Sequence, residues 1–227
     1  MSKNLFITGT GTDVGKTYVT GLLVKKLAEA KKNPGYYKAA MSGNDRRPDG
    51  SLIPGDALHI QKVSGISQPL EEMCPYVYEH AYSPHLASRL EGNPVRLDVV
   101  RKNFEKLPCK YDYLTVEGSG GILCPICFDE AKIQLEDVIQ ELNLSCLIVA
   151  DAGLGTINNV LLTVEYMRAK NIPVKGLIFN HFHPGDLMEE DNRNMCEYMT
   201  GLKVFACVKD NDTDLDMDVE LLASLYD

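Results

Sequence analysis

The run Gly9-Thr10-Gly11-Thr12-Asp13-Val14-Gly15-Lys16-Thr17 holds the residues best suited to chemistry. It follows the apolar stretch Leu5-Phe6-Ile7 and precedes a helical pattern with Val19, Leu22, Leu23 and Leu27 on one face. Strand, glycine loop and helix in that order make a phosphate-binding P-loop. Backbone N–H groups of such a loop point at phosphate oxygens, and the helix N-terminus adds partial positive charge. Lys16 supplies a cation for the terminal phosphates and Thr17 a hydroxyl for Mg²⁺. The spacing departs from the usual motif: Thr10 stands where its first glycine falls, and Gly9 lies one residue earlier. The strand and helix on either side separate the loop from a glycine-rich turn with an incidental lysine.

Further polar residues fall at the ends of apolar runs. Lys38 ends a second strand-like run, with Ser42 just beyond. Glu117 ends another and opens Gly118-Ser119-Gly120-Gly121. A run ending near Ala150 leads into Asp151-Ala152-Gly153-Leu154-Gly155-Thr156-Ile157-Asn158, and one more ends at Asn180. Phosphoryl transfer from a nucleoside triphosphate needs cations, and Lys16 and Lys38 supply them. Thr17, Asp56 and Glu117 are hard oxygen donors of the kind Mg²⁺ prefers. Asp56 has a second reading as the N-cap of the helix it opens.

Positioning these residues on one edge requires a parallel sheet. Strands are expected over 4–8, 35–40, 111–117, 144–150, 174–180 and 203–208. Helices are expected after the P-loop, from 56 onward with Leu58, Ile60 and Val63 as its apolar positions, and over 95–107, 135–142, 157–170, 188–200 and 219–226. Near-continuous apolar strands alternating with helices predict an α/β fold, a mostly parallel sheet with helices on both faces. In such a sheet ligands gather at the carboxyl ends of the strands. No repeat, low-complexity linker or composition shift divides the chain, so one P-loop NTPase domain over 1–227 is expected.

The net charge is -9, from 23 basic and 32 acidic residues. That disfavours nucleic-acid binding, which rests on clustered Lys and Arg. No apolar stretch approaches the length of a membrane span, and the N-terminus reads as a strand rather than a secretion signal. The Cys count is 7, scattered, which suits reduced thiols in a cytoplasm. Cys124-Pro125-Ile126-Cys127 lacks a second pair at zinc-ligand spacing, and His181-Phe182-His183 lacks an evident third ligand.

Taken together, these residues resemble the dethiobiotin synthetase family. The likeness is carried by 8–17, Gly35-Tyr36-Tyr37-Lys38 with Ser42-Gly43, Gly55-Asp56-Ala57-Leu58, and Pro75-Tyr76. It continues through Ser83-Pro84-His85, Val116-Glu117-Gly118-Ser119-Gly120-Gly121 and Leu154-Gly155-Thr156-Ile157-Asn158. It spans 4–180, and the order and spacing of these elements make it specific. The resemblance implies an ATP- and Mg²⁺-dependent ligase that converts 7,8-diaminopelargonic acid and CO₂ to dethiobiotin, ADP and phosphate. It implies that Lys16 and Lys38 stabilise the transferring phosphoryl group, and that Thr12, with Lys38, holds a carbamate. Ser42, Thr12 and Gly118 would touch the diamine. Asp13, Val14, Gly15, Lys16, Thr17, Tyr18 and Glu117 would surround the nucleotide, and Asn180 would bond the adenine. Thr17, Asp56 and Glu117 would hold Mg²⁺. A homodimer is also implied, in which the segment from Gly155 to Asn158 receives the substrate carboxylate from the partner subunit; the alternative for Asn158 is a cap on its own helix. The family commonly carries Glu in place of Asp13, and an Ile-Pro pair near the place of Cys207-Val208-Lys209-Asp210.

The main alternative from another class is a nucleotide switch of the partitioning and division-site ATPase type, which shares a similar fold but acts by dimerising and binding DNA or membrane. Such proteins carry a second lysine early in the P-loop, where Gly11 stands here. Ligases of the cobyrinic-acid type are a further alternative, usually joined to an amidotransferase domain.

Overall fold

A computed structural model describes residues 2–129 and 131–227. Met1 and Glu130, within the expected 1–227 domain, lie outside the described residues. The elements in chain order are β1 (Lys3–Gly9), α1 (Lys16–Glu29), β2 (Pro34–Lys38), β3 (Ala40–Met41), α2 (Gly55–Ser64), α3 (Leu70–Met73), β4 (Tyr76–Val77), α4 (Pro84–Leu90) and α5 (Leu97–Phe104). There follow β5 (Tyr113–Glu117), β6 (Pro125–Phe128), β7 (Lys132–Gln134), α6 (Leu135–Glu141), β8 (Cys146–Asp151), α7 (Thr156–Ala169), β9 (Val174–Asn180), α8 (Leu187–Thr200), β10 (Val204–Cys207) and α9 (Val219–Ala223).

The main sheet has 6 strands in the order β10-β9-β8-β1-β5-β2, and every pairing in it is parallel. β1 runs through its centre. Leu5 and Ile7 face α1 and α9, while Phe6 faces the opposite layer, built from α5, α6, α7 and α8. Both faces are therefore buried, which is why these strands are apolar throughout instead of alternating. A smaller cluster of Val24, Tyr36, Met41, Ala57, Ile60, Met73 and Cys74 fixes α2 and α3 beside α1. Val63 and Leu58 are only partly buried; Ala57 and Ile60 are the fully buried apolar positions of α2.

The expected strands and long helices are present, with ends shifted by a few residues. The 35–40 strand divides: β2 stays in the main sheet, and β3 leaves it to pair with β4. α3, α4 and the antiparallel hairpin β6–β7 were not foreseen. They are short, and a few residues carry too little periodicity to reveal them. The hairpin absorbs the Cys124-Pro125-Ile126-Cys127 segment.

Candidate active site

Register at the sheet edge brings the first charged residues together. Glu117 of β5 pairs with Ile7 of β1 on one side and with Lys38 of β2 on the other. Lys38 Nζ donates to Glu117 Oε1 at 2.7 Å and to Asp56 Oδ2 at 2.5 Å. Thr17 Oγ1 donates to Glu117 Oε1 at 2.7 Å, and the Tyr36 hydroxyl donates to Glu117 Oε2 at 3.1 Å. Glu117 is 1% exposed. A carboxylate so deeply buried is tolerable only with such partners, since an unpaired buried charge is strongly destabilising.

Burial alone would lower the Lys38 pKa, but the Glu117 and Asp56 carboxylates outweigh it and raise it above the ordinary lysine value. Burial alone would raise Asp56, but Lys38 beside it outweighs burial and holds its carboxyl below the usual range. Lys16 shifts the other way. Burial lowers its pKa, Lys38 adds to the effect, and Glu117 opposes it.

The P-loop shows why its first glycine sits one residue early. A Cβ at Gly9 would stand 2.8 Å from Val14 Cγ2 and 3.0 Å from Lys16 Cδ, so the loop closes on that position. Gly11 has no such contact. Lys16 Nζ folds back to donate to the Gly11 carbonyl at 2.7 Å. Gly15 caps α1 with φ 82, a left-handed conformation in which glycine escapes the steric cost of a side chain. Asp13 is also left-handed, at φ 59.

Thr12, Asp13, Gly15, Lys16, Thr17, Tyr18, Lys38, Ser42, Asp56 and Glu117 line one cleft of about 590 Å³. The other expected site residues lie elsewhere. Val14 is buried beneath the loop. Asn180, 1% exposed, donates through Nδ2 to the Val14 carbonyl at 3.2 Å. Gly118 is packed where a Cβ would meet Leu135 and Phe6. Gly155 and Asn158 are exposed at the start of α7, beside Leu154, which is 91% exposed. Asn158 does not cap that helix: the N-cap is Gly155 and no side chain bonds there. Asp56 does not cap α2 either, because the N-cap is Pro54 and Asp56 lies inside the first turn. Its carboxylate is thereby left to face Lys38.

Some cleft residues escaped sequence reasoning. Tyr36 holds Glu117 from below, and the available signal was its place two residues before Lys38, on the same strand face. Ala81, Tyr82, Ser119 and Cys124 also line the cleft, and nothing in their types announced it. His181 and His183 are tied by carboxylates: Asp210 Oδ1 lies 2.6 Å from His181 Nδ1, and Glu189 Oε1 lies 3.0 Å from His183 Nδ1. Among the described residues, no group of three or more His, Cys, Asp or Glu side chains is disposed to hold a metal. The cleft oxygens that could serve a cation are Thr17 Oγ1 and the Asp56 and Glu117 carboxylates. Hard oxygens few in number, with the remaining positions left to water and phosphate, fit Mg²⁺. No helix among the described residues is long and apolar enough to cross a membrane.

Fold and loop together define a class, that of the P-loop NTPases. A family model described as an AAA domain matches residues 3–216. The MinC:MinD cell division protein complex of Aquifex aeolicus superposes with a TM-score of 0.58 at 14% identity, over 92% of this chain and 82% of that one. Signal recognition particle 54 kDa protein from Aeropyrum pernix K1 superposes with a TM-score of 0.53 at 13% identity, over 99% of this chain and 48% of that one. At such identities the likeness is one of fold. Curated relatives go further. The ATP-dependent dethiobiotin synthetase BioD of Brachyspira hyodysenteriae is 49% identical over 217 residues, covering 95% of this chain and 96% of that protein. The BioD of Clostridium botulinum strain Loch Maree is 43% identical over 227 residues, 100% of this chain and 99% of that protein. The chain belongs to the ATP-dependent dethiobiotin synthetase family and is a ligase-type enzyme.

Proposed function

We propose that this protein makes dethiobiotin for biotin biosynthesis, joining CO₂ to 7,8-diaminopelargonic acid at the expense of ATP. The observation that carries the reading is the Lys38 ammonium held between Asp56 and Glu117 in the same cleft as Lys16 and the P-loop. Two cations there oppose phosphate and carboxylate charge together, which is what coupling a carbamate to a γ-phosphate requires.

The chemistry follows in three steps. One amine of the substrate adds to CO₂ and loses a proton, leaving a carbamate. A carbamate oxygen attacks the γ-phosphorus, the bond to the β-phosphate oxygen breaks, and ADP leaves. The second amine attacks the carbonyl carbon of the resulting carbamic–phosphoric anhydride; phosphate leaves and a proton is lost as the cyclic urea closes. Lys38 and Thr12, with backbone N–H groups of the loop, hold the carbamate. Lys16 and Lys38 balance charge on the transferring phosphoryl. Ser42 and Thr12, both in the cleft wall, contact the diamine; Gly118, which does not line the cleft, is left out of that contact. Holding carbamate and phosphate in line makes the transfer effectively intramolecular. Asp13, Val14, Gly15 and Tyr18 surround the nucleotide, Val14 through its backbone because its side chain is buried, and Asn180 would hydrogen-bond the adenine. Thr17, Asp56 and Glu117 would hold Mg²⁺, which when bound neutralises phosphate charge.

The working unit is a homodimer. Gly155 and Asn158 lie outside their own cleft, and Leu154 and Leu162 beside them are 91% and 64% exposed; a partner subunit whose bound substrate presents its carboxylate to this helix N-terminus accounts for both. All of the cysteines are free, which suits a cytoplasmic enzyme. Nucleic acid and membrane are not proposed partners.

Phosphate release from ATP, Mg²⁺ and bicarbonate, with and without the diamine, tests the reading. Release that depends on the diamine, with dethiobiotin mass in the product, is expected. Turnover indifferent to the diamine would refute it and favour the nucleotide-switch alternative, whose fold this chain shares.

A further inference from the structure

The cleft is divided by chemistry. Over the P-loop its wall is charged. Its other wall is mostly apolar, made of Ala40 and Met41 from β3, of Ala81 and Tyr82 before α4, and of Pro84 at that helix's first position, with Ser83 the polar residue among them. The two parts of this wall are locked together. Tyr78 N donates to the Met41 carbonyl at 2.8 Å, and Gly43 N donates to the His80 carbonyl at 3.1 Å. Gly43, at φ 76, lies so close to Ala81 that a Cβ would stand 3.2 Å from that residue's Cβ. Ser42 sits at the seam between the charged and apolar parts.

Tyr82 is the largest side chain of the apolar wall and is 53% exposed. It is nevertheless held in place. Its ring stacks on His80, with centroids 5.9 Å apart and planes inclined by 24°. His80 is fixed in turn by Glu91 at the end of α4, whose Oε1 lies 2.9 Å from His80 Nδ1 and accepts from His80 N at 3.0 Å. A hydrogen bond from Tyr82 N to the His80 carbonyl at 2.9 Å closes the turn between them. An aromatic ring held this way beside a polar cleft is preorganised to cover hydrocarbon, because its orientation needs little further ordering on binding.

We propose that Tyr82, backed by His80 and Glu91, packs against the hydrocarbon chain of the substrate and so selects for a long-chain vicinal diamine over a short one. The inference rests on the function proposed above. In that reading the amines lie over the charged wall, and the methylene chain leaves along the mostly apolar one, past Ser42. Tyr82 is then a specificity residue that touches no reacting atom, and His80 is a positioning residue.

The test compares 7,8-diaminopelargonic acid with 2,3-diaminobutane, which keeps the vicinal amines and lacks the chain. Diamine-dependent phosphate release by the unaltered enzyme tests the function itself and is read first. Tyr82→Ala should raise KM for the long diamine about tenfold, the loss expected for roughly one aromatic contact. It should leave kcat, KM for ATP and turnover of 2,3-diaminobutane unchanged. Tyr82→Phe should behave as the unaltered enzyme, because the contact is made by the ring. His80→Ala should give a smaller rise in the same KM alone. Sedimentation of each variant reads the oligomeric state. An equal loss for both diamines, or a loss that follows subunit dissociation, would overturn the proposal and place the ring at a subunit contact. An unchanged KM in Tyr82→Ala would also overturn it.

Discussion

Gly15→Ala should destabilise the protein through two separable effects. Gly15 has φ 82, and a residue with a Cβ pays about 1–2 kcal/mol for the left-handed region. The new Cβ would also stand 2.0 Å from Asn180 Nδ2. Asn180 can escape by rotating, but it then gives up its bond to the Val14 carbonyl, 3.2 Å away in a buried setting. Leaving a buried acceptor without its donor costs about 1–3 kcal/mol. The single substitution should therefore cost roughly 2–5 kcal/mol, combining strain and the lost bond. Asn180→Ala removes the collision in advance and already carries the second cost. In that background Gly15→Ala should cost only the backbone term of about 1–2 kcal/mol. Urea unfolding of the two single variants and the double variant closes the cycle. The double variant should be less destabilised than the sum by the shared bond cost, about 1–3 kcal/mol. Additivity within about 0.5 kcal/mol would refute the argument that Asn180 and Gly15 fit each other.

The remaining predictions address the site. Lys16→Gln should lower kcat by about a hundredfold or more, by analogy with loss of one donor to developing charge; near-normal phosphate release would remove Lys16 from the phosphoryl path. Ser42→Ala should raise KM for the diamine by about two- to tenfold, the worth of a neutral hydrogen bond, and equal losses for diamine and ATP would show Ser42 to be misplaced. Asp56 bears on pH. Its folded pKa lies below the unfolded value because Lys38 outweighs burial. Its stabilisation is therefore full above about pH 4 and is lost as pH falls through the folded value. Asp56→Asn should flatten the acid side of the stability curve measured by chemical denaturation, and an unaltered curve would contradict the ion pair.

Much of the fold was legible because its signals are local. β1, β8 and β9 read as strands since a strand covered on both faces must be apolar at every position. The P-loop was legible because phosphate binding needs a strand, a turn with glycines and a helix start within a few residues of one another. The site was legible in part. Lys38, Asp56 and Glu117 stood at strand and helix ends, so their meeting followed once the sheet was parallel. β3, β4 and the hairpin β6–β7 were not legible: elements of a few residues are held by neighbours distant in the chain, and their own patterns are too short to show it.

Alone, the sequence determined the parallel α/β class, the phosphate loop, and the strand ends that carry charged side chains. Those properties are written in periods of a few residues and in the chemistry of single side chains. Tertiary structure decided what each group faces. Register placed Glu117 level with Lys38 and gave the carboxylate Tyr36 and Thr17 as further donors. Starting α2 at Gly55 turned Asp56 from a possible cap into a partner for Lys38. The packing of β3 against β4 carried Tyr82 to the edge of the cleft, and the course of α7 left Gly155 and Asn158 outside it. Such pairings depend on distances between segments far apart in the chain, and those are set only when sheet and helices bury their apolar faces together.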